Sequence, residues 1–276
     1  MRKSGDGYRN MGFYATDAFG KAVLTDARVG QLSLKLGFHD DHARTTYLGL
    51  TDAMYRADPR QDTVAPYDFF AVRRYEASLV HEKHFSDQTS LRSTLFAYQM
   101  QLGQRSQDFD RPPPIQGIDY VSVPDPAALF LKQTSTLRDR TYDVLGLSSE
   151  LEHRFATGKL IHRLKIGGRA MLDVARRKLS SGDSPTAESG LLLTDDTTTI
   201  LGLAAWFEDQ IAVTSKCSLP PAFRYEHSHS QKHFSVVDDD ISQGPKPVDI
   251  TGNSNAGGAM PGPGGDLRQR EVECVR

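Results

Sequence analysis

The stretch Thr197-Thr198-Thr199-Ile200-Leu201-Gly202-Leu203-Ala204-Ala205-Trp206-Phe207-Glu208-Asp209-Gln210-Ile211-Ala212-Val213-Thr214 alternates with a period of two. From Leu201 the odd positions are Leu201, Leu203, Ala205, Phe207, Ile211 and Val213, broken only by Asp209, while the even ones include Gly202, Glu208, Gln210 and Thr214. Successive side chains of a strand point to opposite faces, so this spacing predicts a strand with one apolar face. After a break at Ser215 to Ser218 the pattern resumes, with Leu219, Phe223 and Tyr225 against Arg224, Glu226 and Ser228. The pair reads as two antiparallel strands between lipid and water.

Further strands are expected on the same grounds. Met11 to Thr16 is a short first strand, and Gln31 to Phe38 sets Leu32, Leu34, Leu36 and Phe38 against polar neighbours. Asp40-Asp41-His42 reads as a tight turn, with Arg44 to Met54 returning and Tyr55 to Asp68 a polar connection. Phe70 to Phe85 and Leu91 to Gln101 flank the turn Ser86-Asp87-Gln88-Thr89. Leu102 to Leu137, with Pro112-Pro113-Pro114, reads as a long loop. Thr141 to Phe155 and Lys159 to Val174 flank the turn Ala156-Thr157-Gly158.

Connections therefore alternate, short at 39–42, 86–90, 156–158 and 215–218 and long at 55–68, 102–137 and 177–196. Short turns at one end and long loops at the other are the pattern of outer-membrane barrels, whereas soluble sandwiches show no strict alternation. The expected fold is all-β, an antiparallel up-and-down transmembrane barrel, partial, with about nine strands. Its convex face should carry Leu164, Ile166, Leu172, Leu201, Leu203, Phe207 and Tyr225, and its concave face Glu150, Lys165, Arg169, Glu208 and Arg224.

Bulk numbers agree without deciding. Across 276 residues, 38% are hydrophobic and the mean hydropathy is −0.47, too polar for a helical membrane protein. A membrane barrel hides its apolar half in alternate positions, so it is expected to average low. No apolar run reaches the roughly 18 residues of a spanning helix. The formal charge of −2, with scattered Lys and Arg, gives no basic surface for nucleic acid. Cys217 and Cys274 are the only cysteines and lack metal or redox spacing.

The string Ala205-Trp206-Phe207-Glu208-Asp209-Gln210-Ile211-Ala212-Val213-Thr214, followed by Phe223-Arg224-Tyr225-Glu226, resembles a barrel hairpin of TonB-dependent outer-membrane siderophore receptors, closest to the ferric dicitrate and ferric-siderophore type. Leu160-Ile161-His162-Arg163-Leu164-Lys165-Ile166-Gly167-Gly168-Arg169 and Leu193-Thr194-Asp195-Asp196-Thr197-Thr198-Thr199 fit the same family in the same order. The resemblance runs from Gly5 to Gly265 and rests on no single diagnostic motif. It implies a location in the cell outer membrane, a ferric siderophore as transported ligand with no resident cofactor, and lipid around the wall. It also implies a TonB complex acting through a plug domain.

That family's barrel has about twenty-two strands behind a plug, so this sequence is expected to be an internal fragment lacking the plug and the C-terminal strands. Residues 1–236 would be the partial barrel and 237–276 an extracellular loop with an aberrant or disordered tail. Ser4-Gly5-Asp6-Gly7 stands where the apolar part of an export signal belongs, and Asp266 to Arg276 lacks alternation where a strand is expected. The expectation is a truncated gene product not competent for transport alone. The alternatives are a soluble all-β binding module and a non-functional remnant.

No catalytic constellation emerges, and an enzyme is not expected. Glu208 and Asp209 are adjacent on a strand, face opposite ways and make no acid pair. His227, His229 and His233 with Asp238, Asp239 and Asp240 read as the polar base of a loop rather than a metal cluster. Gly262 to Gly265 lacks the flanking elements of a phosphate cradle. For an anionic chelate, forked guanidinium donors near the loops are the chemistry required. Arg56, Arg60, Arg105 and Arg111 are the candidates, with Tyr67 and Gln107 as hydrogen-bonding neighbours, and each also fits an ordinary solvated loop residue.

Overall fold

The computed structural model describes residues 2–6, 9–46, 48–214, 217–237 and 245–260. They form one twelve-stranded antiparallel sheet with one short helix. The strands are β1 (Arg2–Asp6), β2 (Gly12–Asp26), β3 (Gly30–Ala43), β4 (Phe69–Ser86), β5 (Thr89–Asp110), β6 (Tyr120–Asp125) and β7 (Leu129–Thr157). They continue with β8 (Leu160–Gly182), β9 (Leu191–Thr214), β10 (Cys217–Leu219), β11 (Ala222–Val237) and β12 (Lys246–Met260), and α1 is Asp52–Ala57. The path runs β1-β2-β3-β4-β5-β7-β8-β9-β11-β12, with β6 added to β7 and β10 to β9. Each long strand pairs with its neighbour in sequence, the up-and-down arrangement of a barrel wall.

Register shows why alternation produced this sheet. Residues directly opposite across a ladder share a face. One row runs Leu91, Leu151, Ile166, Phe207 and Phe223 across five strands, and Ala97, Leu145, Leu172 and Leu201 form another. The opposite face carries Arg92, Glu150, Gly167, Trp206 and Arg224 in one row. Arg169 lies with Ala204 on that polar face and Leu172 with Leu201 on the apolar one, as expected. Glu208 and Asp209 part in the same way: Glu208 faces Lys165 at 3.7 Å, and Asp209 meets His162 at 2.8 Å on the apolar side.

The apolar face is open to solvent rather than packed, with Leu145 52%, Ile166 50% and Phe207 45% exposed. A contiguous exposed apolar stripe marks a face that is covered by lipid or by another protein surface. The strands are long, 22 residues in β5 and 29 in β7, but the apolar band is not. It spans seven residues on β5 (Leu91–Ala97), seven on β7 (Leu145–Leu151) and eleven on β8 (Leu164–Val174), so only on β8 does it reach the roughly 9 to 11 residues that cross a bilayer core. Polar groups close it on the loop side, where Gln99 Nε2 donates to Asp143 Oδ1 at 2.7 Å, Arg176 also meets Asp143, and Arg73 Nε reaches Asp40 Oδ1 at 2.8 Å.

Several expected boundaries are corrected. Asp40-Asp41-His42 is not a turn but the last part of β3, and the chain reverses at 27–29, where Asp26 Oδ1 accepts from Arg28 and Val29 N–H. The second half of β2 escaped notice because its apolar-face positions include Ala18, Gly20 and Ala22, which carry little hydrophobic signal. Arg44 to Met54 does not return as a strand. It belongs to the connection 44–68, in which the Thr51 hydroxyl caps α1.

Leu102 to Leu137 is not one loop, since β5 continues to Asp110, β6 is added, and β7 starts at Leu129. Likewise 177–196 narrows to 183–190. Lys246–Met260, within the segment expected as a loop and tail, is paired along β11 as β12. These extensions are polar or mixed on both faces, so no clean alternation marks them, and ladder hydrogen bonds to neighbouring strands carry them on. Among the described residues the count is twelve strands rather than about nine. The alternation of connections survives: short at 27–29, 87–88, 158–159 and 215–221, long at 44–68, 111–128 and 183–190.

Candidate functional site

The buried residues gather at the end that carries the long connections. Ala65, Asp68, Ser106, Gln107, Leu129, Leu131, Ser135, Leu137 and Ala187 are all buried, while the sheet below has two open faces. Hydrogen bonds tie the three long connections together there. Thr51 Oγ1 donates to Asp125 Oδ2 at 2.7 Å, and Ser135 Oγ to the Ser184 carbonyl at 2.8 Å. Arg105 donates to the Tyr67 carbonyl at 2.9 and 3.1 Å, and to the Thr186 and Ala187 carbonyls at 2.9 and 3.1 Å. Its guanidinium also lies 5.0 Å over the Phe69 ring.

Of the residues singled out from sequence, Tyr67, Arg105 and Gln107 are thus brought together. Gln107 is buried, its N–H donating to Asp68 Oδ1 at 2.6 Å and its Nε2 to the Lys132 carbonyl at 2.8 Å. Burial pushes the Asp68 carboxyl up, against the opposing pull of the Thr46 hydroxyl, the Gln107 amide and the Arg105 charge. Arg60 lines an open cleft of about 1000 Å³ with Arg9, Arg44, Tyr14 and Phe70. Arg56 sits in the last turn of α1 and Arg111 just beyond β5, both exposed. The side chains of Arg56 and Arg111 make no hydrogen bond or ion pair among the described residues.

A second cluster lies on the polar face, between the apolar band and the loops. Arg138 and Arg140 of β7 share that face, Arg177 of β8 stands directly opposite Arg140, and Lys232 of β11 completes the group. They line a recess of about 240 Å³ with Thr194 and Asp196. Arg177 Nε and Nη2 donate to Asp196 Oδ1 at 3.0 and 2.7 Å, and Lys232 Nζ lies 3.7 Å from the same oxygen. Sequence reading missed this group because it left Arg138–Arg140 unassigned between a loop ending at Leu137 and a strand beginning at Thr141, and placed 177–196 in a loop. The signal available was Arg138-Asp139-Arg140, whose two cations at i and i+2 share a face once a strand is granted.

Among the described residues no group of three or more His, Cys, Asp or Glu side chains is placed to hold a metal ion. Asp238, Asp239 and Asp240, weighed with the histidines, lie outside the described residues, as do Cys274 and 261–276.

No protein-family model and no curated protein matches the sequence. Solved structures do match. The unliganded ferric citrate transporter FecA aligns with a TM-score of 0.70 and 20% identity, over 91% of this chain and 33% of that one. The ferric-catecholate import receptor Fiu of E. coli K12, in its closed form, aligns at 0.65 with 12% identity, over 92% and 41%. The siderophore receptor PiuA of Acinetobacter baumannii aligns at 0.65 with 11% identity, over 94% and 40%. This chain spans between a third and about two-fifths of those chains. What is shared at such identity is the fold: the sheet is a section of an up-and-down β-barrel of that receptor architecture.

Proposed function

We propose that this chain forms part of the barrel wall of an outer-membrane receptor for ferric siderophores, citrate-like ferric chelates among them, and that it is not an enzyme. The observation that carries the reading is the two-faced sheet, with an apolar band seven to eleven residues tall on one side and charge on the other, and its long connections tied together at one end. A barrel that hides neither face in a protein core needs lipid outside and an aqueous or protein-filled interior. The likeness to transporters of ferric citrate, ferric catecholates and siderophores supports the cargo class.

The knotted end faces outward in this reading. Arg105 and Gln107 hold the loop bases through backbone carbonyls, leaving Arg56, Arg60 and Arg111 with donors for an arriving anionic chelate, and Tyr67 exposed at the same end of the sheet. Energy coupling belongs to the plug on which a periplasmic TonB complex pulls; this section contributes wall.

The test is to express the chain behind a bacterial signal peptide and follow it into membrane fractions. Recovery with the membrane fraction, released only by detergent, is the expected result. A monodisperse species in detergent-free buffer overturns the reading in favour of a soluble all-β module.

A further inference from the structure

Charges on the polar face are mostly matched. Lys35 and Arg74 reach Glu76 at 3.1 and 2.9 Å, Arg92 reaches Glu82 at 2.9 Å, and Arg163 reaches Glu152 at 2.8 Å. Arg224 meets Glu226 at 2.5 Å. The recess between β7, β8, β9 and β11 is different. Its lining cations are Arg138, Arg140, Arg177, Lys178 and Lys232 against the single carboxylate Asp196; Lys178 pairs with Asp195 outside the recess at 4.0 Å, so the other four cations less one anion leave a net of three positive charges. The side chains of Arg138 and Arg140 make no hydrogen bond or ion pair among the described residues, and Arg138 Nη1 is shielded from solvent without a partner. Arg140 also stands directly across the ladder from Arg177. Like charges in that position destabilise a sheet, and a shielded, unpartnered guanidinium nitrogen adds a desolvation cost.

We propose that Arg138, Arg140, Arg177 and Lys232 form a binding site for a small, multiply charged oxyanion, a polycarboxylate or a polyphosphate, on the barrel's inner wall. The proposal rests on the receptor reading for which face is inner. Guanidinium forks match the paired oxygens of either anion class, and two forks at i and i+2 of one strand lie about 7 Å apart, the span between two carboxylates of one small molecule. A recess of about 240 Å³ admits such a molecule, or one arm of a larger chelate. Asp196 fixes Arg177 and Lys232 in place, and Arg138 and Arg140 supply the uncommitted charge.

The experiment is calorimetric titration of the detergent-refolded chain with citrate, with pyrophosphate and with a hexaglutamate peptide. The variants are Arg138→Gln with Arg140→Gln, Arg138→Lys with Arg140→Lys, Lys232→Gln alone, and Arg92→Gln as a control outside the recess, with heat-dependent gel mobility confirming the fold of each. Citrate or pyrophosphate should bind the parent chain and weaken with added salt. The glutamine pair should lower affinity at least tenfold, the lysine pair and Lys232→Gln less, and Arg92→Gln not at all. Preference between the two small anions identifies the source. Binding that is absent in the parent, or equal in the parent and the glutamine pair, overturns the site. So does binding of hexaglutamate alone, which would make these cations a dock for an acidic protein segment. Membrane insertion is read separately, so a chain that inserts but binds no oxyanion loses this site and keeps the receptor reading.

Discussion

Asp68 shows how a single residue holds the loop-bearing end and what it costs. Its carboxyl is buried and accepts the Gln107 N–H at 2.6 Å, and burial raises its pKa above the unfolded value of 3.8. The folded state therefore binds the proton more tightly than the unfolded one. Stability falls as pH rises from the unfolded pKa through the raised folded one, and the full cost stands above it. Asp68→Asn keeps an acceptor for Gln107 and removes the charge. It should slow hydrogen exchange of 44–68 at pH 7 relative to the parent and remove the loss of protection on going from acid to neutral pH. A second residue-scale case is Gly167, where a Cβ would stand 2.4 Å from the Trp206 ring. Trp206 lies across the glycine and donates Nε1–H to Glu150 Oε2 at 3.0 Å. Gly167→Ala should push the indole off Glu150 and shift its fluorescence to the red, an unambiguous signal because the chain has one tryptophan.

Strands and loops divide the work between them. Along β9, Leu203 belongs to the apolar band and Ala204 to the opposite face. Leu203→Arg should cost about 2–4 kcal/mol of folding stability in a bilayer, while Ala204→Arg costs far less, as read by urea titration of the folded fraction in lipid vesicles. The loops depend on Arg105, whose guanidinium joins 44–68 to 183–190 through three carbonyls. Arg105→Ala should leave the sheet intact and raise protease cleavage in both connections severalfold, and Arg105→Lys should rescue only in part, because an ammonium does not reproduce the planar fork. Turns were legible where chemistry marks them. Gly158, at a φ of 61°, sits in the two-residue reversal between β7 and β8 that Ala156-Thr157-Gly158 announced. The turn at 27–29 closes on Gly30, at a φ of 98°, and was missed in favour of Asp40-Asp41-His42, whose polar cluster instead meets Arg73 from the next strand.

At the scale of the whole molecule, one face toward lipid and one toward a filled interior follow from a repeat of two residues carried through rows such as Leu91, Leu151, Ile166, Phe207 and Phe223. That much, with the strand order and the alternation of short and long connections, was determined by sequence alone, because side-chain period and turn chemistry are local properties of a chain. The length of the strands beyond the band was not. Leu102–Asp110 and Ser180–Gly182 are polar or mixed on both faces, and only hydrogen bonds to partners distant in sequence make them β5 and β8. The same holds for the two sites. Arg105 read as a free loop arginine and proved to be committed to three backbone carbonyls. Arg138 and Arg140 fell between the expected loop ending at Leu137 and the expected strand beginning at Thr141, and they prove to face Arg177 and Lys232 across ladders from three strands. Which charges find partners depends on register between segments tens of residues apart, and register is settled only when the sheet assembles.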